Sequence, residues 1–154
     1  MKYSWILLSL FLVACNSGSS DTKEATVVAK ANITEVTAQG NNGGYTFYVT
    51  VASDETGCDQ YADWWEVLSA NGDLIYRRIL FHSHPNDQPF TRAGSPVNIQ
   101  PNDIVYIRAH MNKAGYTGDV FKGSTTTGFL KTNTTPGFSK SIETQAPLPN
   151  GCAF

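Results

Sequence analysis

Apolar positions in this chain recur mostly with a period of two, the spacing of a half-buried β-strand. The cleanest run is Tyr45 to Ala52, with Tyr45, Phe47, Val49 and Val51 on one face and Thr46, Tyr48 and Thr50 on the other. Ile104 to Met111 repeats the pattern, with Val105, Ile107 and Ala109 opposite Tyr106, Arg108 and His110. Between them, Trp64 to Leu68 and Leu74 to Phe81 are rich in aromatic and branched residues, which suit a pleated surface. Asn71-Gly72 separates these two segments and supplies the positive φ that a hairpin turn needs. A three-residue turn would put Trp65 and Val67 on one face with Ile75, Arg77 and Ile79. A two-residue turn would slip the pairing by one and set Glu66 against Arg77. The sequence leaves both registers open.

Weaker strands are expected over Ala25 to Val36, over Phe90 to Ile99 with its Gly94 and Pro96, and over Asp119 to Thr127. Turn clusters at Gln39 to Gly44, Pro101 to Asp103 and Asn112 to Gly118 separate them. No segment carries a helical period. About seven short strands predict an all-β fold, an immunoglobulin- or fibronectin-III-like β-sandwich over residues 26–130, with Trp65 as the plug between the sheets. Residues 131–154 are polar, contain three prolines, and are expected to run over the domain as a pinned tail without a regular element.

Composition narrows the setting. The 154 residues suffice for one ordinary domain. A net charge of -2, with eleven scattered Lys and Arg, gives no electrostatic footprint for nucleic acid. At the N-terminus, Lys2 precedes an apolar run from Trp5 to Ala14. That run is too short to span a bilayer, which takes about 20 apolar residues, and reads as a signal peptide over 1–14. It ends in Leu12-Val13-Ala14-Cys15, which resembles the lipobox of bacterial lipoproteins. The resemblance implies that Cys15 becomes the lipid-bearing first residue of the mature chain. It also implies, through Asn16 and the enterobacterial sorting rule, an outer-membrane address. The alternative is a plain secretory signal with an incidental cysteine. Residues 15–25 have the Ser/Gly/charged composition of a tether.

The run Tyr61-Ala62-Asp63-x-Trp65-x-Val67, then Arg78, then His82-x-His84 and Gln88-Pro89-Phe90-Thr91-Arg92 resembles a family of small exported bacterial proteins. Arg108-Ala109-His110 and Gly115-Tyr116 resemble a later segment of it, so the likeness spans roughly residues 44 to 122. It implies a small exported β-sandwich and lends no activity. Cys58 departs from it, since tryptophan is common there.

Candidate chemistry is sparse, and a non-catalytic envelope protein is expected. There is no G-x-S-x-G and no H-E-x-x-H, although loop acids such as Asp59 and Asp63 could in principle do acid–base work. In an immunoglobulin-like arrangement, the loops carrying His82, His84 and His110 fall at one end of the sandwich. Three imidazoles there would make a copper or zinc site with an open position. The competing reading is that they are structural struts. Trp64, Tyr76, Tyr106 and Arg108 could form an outward aromatic face for a glycan or an envelope protein, unless the tail covers it. Cys58 and Cys152 are left after lipidation and in an oxidising compartment are expected to pair, with free thiols or an intermolecular bridge as alternatives.

Overall fold

The computed structural model describes residues 27–153. The signal-peptide segment 1–14, Cys15 and the whole tether to residue 25 were read from sequence alone and lie outside the described residues. Among the described residues the chain forms β1 (Ala31–Gln39), β2 (Tyr45–Ser53), β3 (Ala62–Ser69), β4 (Leu74–Ile79), β5 (Phe90–Val97), β6 (Val105–Met111), β7 (Val120–Ser124) and β8 (Gly128–Thr132). A short 3-10 helix, Lys140–Thr144, follows. All paired strands are antiparallel, in a three-stranded sheet ordered β1-β2-β5 and a five-stranded sheet ordered β4-β3-β6-β7-β8. This is the fibronectin-III-like sandwich order with one strand added at an edge. The extra strand is β8, which the reading of 131–154 as an irregular tail cuts across at its end.

The inner faces follow the period-two pattern. Tyr45, Phe47, Val49 and Val51 of β2 are buried against Trp65, Val67, Val105, Ile107 and Ala109 of the opposite sheet. Trp65 has no exposed surface and fills the space between the sheets. β1 is irregular between Ile33 and Glu35, where its pairing with β2 shifts.

The central hairpin combines features of both expected registers. Its turn has three residues: Ser69 N donates to Asp73 O at 2.9 Å, and Gly72 takes the left-handed φ of +89°. The pairing then shifts between Val67 and Leu68, so that Leu68 faces Leu74 and Val67 faces Tyr76. Ile75 is the extra residue of a bulge. Beyond it, Glu66 pairs with Arg77 and Trp65 with Arg78. The bulge reverses which β4 side chains face inward. Tyr76 turns to the core, 5.7 Å from the Trp65 ring, and Arg77 turns outward beside Glu66.

Gly94 of β5 is the close approach that lets Trp65 seat. A Cβ there would meet both the Trp65 and Tyr76 rings at 2.6 Å. Overpacking a tight core typically costs about 1–3 kcal/mol. Gly94→Ala should therefore lower the unfolding free energy by that amount, seen as a lower urea midpoint at unchanged slope, and an unchanged midpoint would show that the two rings yield freely.

Candidate functional site

Alternation sends Trp64 and Glu66 of β3, Arg77 of β4, and Tyr106, Arg108 and His110 of β6 to the outer face of the five-stranded sheet. The outer face of a sandwich sheet is ordinarily wet, yet Glu66 is 0% exposed and Trp64, Arg77, Arg108 and His110 are buried too. Residues 133–153, leaving β8, lie across them as a strap.

At the centre stands Glu66. Its Oε2 accepts from Arg77, with the guanidinium at 2.7 Å, and its Oε1 accepts from Arg108 Nε at 2.7 Å. Each arginine then reaches outward. Arg77 donates to the carbonyls of Ile142, Pro147 and Gln145, and Arg108 to those of Ser139 and Phe138. Five strap carbonyls are thus held by two guanidinium groups that share one carboxylate. Charge-assisted hydrogen bonds of this kind are about twice as strong as neutral ones. Tyr116 lies over Arg108, 3.5 Å from its ring centre, and burial pushes its phenol up to about 12, with the nearby Glu66 charge adding to the rise.

Beside this triad runs a second chain of polar contacts. His110 Nδ1 lies 2.6 Å from Asp63 Oδ1, and His110 Nε2 lies 2.9 Å from Glu143 Oε1, a residue of the strap's 3-10 helix. Each contact needs one proton, so the three groups together hold two. Burial raises the pKa of Asp63, opposed by its bond to His110. Trp64 stacks on the imidazole at 3.7 Å with only 7° between the planes, and Arg77 sits 4.5 Å from the Trp64 ring. Both ring nitrogens of His110 are occupied by carboxylates, so none is free to act on a substrate as a base.

The far end of the strap is tied at the rim. Cys58 and Cys152 form a disulfide, with Cα atoms 5.5 Å apart. Ala153 N donates to Phe81 O at 2.6 Å, and Ala153 O lies 3.0 Å from His82 Nδ1. At the same rim, the buried Glu55 accepts from His84 N, Ala62 N and Ser53 Oγ. His84 Nε2 lies 2.6 Å from an Arg92 nitrogen. Arginine can only donate, so Nε2 is an acceptor and the proton sits on Nδ1, 3.9 Å from Glu55 Oε2. Burial, with the Arg92 charge second, lowers this histidine's pKa below 6.5.

These placements bear on two expectations. His82, His84 and His110 do share one end of the sandwich, but they do not form a ligand set. Each is spent on a different partner, and no group of three or more His, Cys, Asp or Glu among the described residues is arranged to hold a metal ion. The outward aromatic face is not assembled either. The bulge sends Tyr76 inward, the strap buries Trp64 and Arg108, and Tyr106 packs on Phe138 of the strap at 4.9 Å. Glu55 and Glu143 were not singled out from sequence, and Glu66 and Arg77 were named only as partners in one hairpin register. The available signal was an acid inside the apolar run Trp64-Trp65-Glu66-Val67-Leu68, with a pair of arginines on the adjacent strand.

No family model matches the chain, and no solved structure matches it. It is similar to a protein of Halomicrobium mukohataei named "Putative lipoprotein", 34% identical over 116 residues. That match covers 75% of this chain and 57% of the relative, so the chain spans little more than half the relative's length.

Two outcomes follow for this site. Removing one partner of a buried ion pair costs about 3–5 kcal/mol. Glu66→Ala should lose that much stability and raise amide exchange over residues 138–147 more than in β2, and uniform exchange would separate the strap from Glu66. The unfolded chain protonates His84 near pH 6.5, but the folded chain does so only at lower pH. Stability from this group is therefore complete above pH 6.5 and declines as pH falls below it. Asp63 acts with the opposite sign, its share being lost as pH rises above 3.8. His84→Gln should flatten the first slope in unfolding free energy measured against pH, and an unaltered slope would assign it to another group.

Proposed function

We propose that this is a lipid-anchored cell-envelope protein whose sandwich serves as a non-catalytic scaffold, held at the outer membrane through Cys15. The observation that carries this reading is Leu12-Val13-Ala14-Cys15 at the end of a short apolar run, together with a relative whose name contains "lipoprotein". No helix among the described residues is long and apolar enough to cross a membrane. A lipid on Cys15 would supply the attachment, and two acyl chains suffice for stable anchoring where one does not.

The geometry supports a scaffold over an enzyme. The strongest cluster of ionisable groups, Glu66 with Arg77 and Arg108 and Asp63 with His110 and Glu143, is engaged in fastening the chain's own strap. The Cys58–Cys152 disulfide also suits an oxidising compartment outside the cytoplasm.

Cys15→Ala tests the anchor. In the cells that make the protein, the wild type should partition into detergent and carry the added mass of a lipid, whereas the variant should appear in the soluble fraction without it. A variant that stays in the detergent phase at wild-type mass would remove the anchor and leave the scaffold reading to stand on the strap alone.

A further inference from the structure

The strap does not lie flat along its whole length. Between its first bend and the loop joining β6 to β7 it leaves a cavity of about 450 Å³, within the range of small-molecule sites. Arg108, Lys113 and Lys140 line it against one carboxylate, Glu143. That is an excess of two positive charges in the wall of a chain whose net charge is -2. Glu66 does not cancel the excess, because Arg77 and Arg108 share it. Glu143 is itself turned to His110 through Oε1.

Arg108 provides a second, independent observation. Its guanidinium has five N–H donors. Three are spent, on Glu66, Phe138 O and Ser139 O. Two N–H groups are left without a protein acceptor among the described residues, on a side chain only 4% exposed that lines the cavity. Buried donors of a charged group are costly to leave unmet. Tyr116 and Phe138 give the same cavity aromatic walls.

We propose that this cavity binds a small organic oxyanion, a carboxylate or a phosphate monoester, with its charged group on the spare Arg108 donors, Lys113 and Lys140 at the mouth, and its body against Tyr116 and Phe138. The site is separate from the anchor and does not depend on it. A cavity lined half by the strap would also couple ligand to strap, since a bound anion ties Lys140 to Arg108 of the sheet.

The test is calorimetric titration of the full chain in detergent at fixed ionic strength, with benzoate, phenyl phosphate and the neutral isostere benzamide. Saturable binding of at least one anion is expected, with benzamide at least 10-fold weaker, and the tighter of the two anions names the headgroup. Lys113 and Lys140 are exposed, so Lys113→Ala with Lys140→Ala should keep the wild-type melting temperature while weakening the anion at least 10-fold. Lys131→Ala, a cation outside the cavity, should leave binding unchanged. Absence of saturable anion binding, equal binding of benzamide, or equal losses in the cavity and Lys131 variants would each overturn the proposal.

Discussion

A carboxylate with no exposed surface cannot remain charged in a protein interior unless cations meet it, and Glu66 sets this requirement for the rest of the outer face. Isolating such a charge costs several kcal/mol even after relaxation. Two arginines from the two flanking strands satisfy it, one on each carboxylate oxygen. The arginines then carry donors that must also find acceptors under cover. Those acceptors are backbone carbonyls of the strap, so a single acid on β3 propagates outward to the conformation of residues 138–147. The same demand accounts for the bulge at Ile75. Without it Glu66 would face Tyr76, and the arginine would be displaced to the other face of the sheet.

Much of the sandwich was legible because burial enforces period two wherever one face meets a core. β2 is the clearest case, with each inner position buried and each outer one not. β8 was hidden for the converse reason. Gly128, Leu130 and Lys131 are exposed at an edge, so no burial pattern marked the strand. The hairpin register was undecided because turn length and bulge are separate choices. Asn71-Gly72 speaks only to the first, and nothing in Leu74-Ile75-Tyr76 announces an extra residue. The outer face was left open between an exposed aromatic surface and one covered by the tail. Trp64, Arg108 and His110 sit at positions that alternation sends outward, and the segment that buries them is polar and proline-containing, which reads as a surface tail. Polar segments become structural when side chains of the sheet supply donors to their carbonyls, and that information lies some thirty residues or more away in sequence.

The strap shows how a segment with little apolar surface can still be fixed. Its apolar contacts with the sheet face include Phe138 on Tyr106. Three other contributions hold it in place. Charge-assisted bonds from Arg77 and Arg108 hold its middle, and the His110 bridge holds Glu143. The Cys58–Cys152 bridge removes freedom from the unfolded chain, about 4–5 kcal/mol for a loop of this length in the chain-entropy model.

Those contributions are not interchangeable, and their order along the strap matters. The disulfide constrains the strap's end covalently, whereas the Asp63–His110–Glu143 chain rests on hydrogen bonds. The cavity, by contrast, lies at the strap's first bend, the end farthest in sequence from the disulfide, and its one carboxylate is the residue that His110 holds. The strap is therefore held covalently where it meets Cys58 and by polar contacts alone where Arg108 binds Phe138 and Ser139 beside the cavity. A segment that must both stay attached and admit a ligand is best built in this way, anchored covalently at one end and closed by adjustable polar contacts at the other.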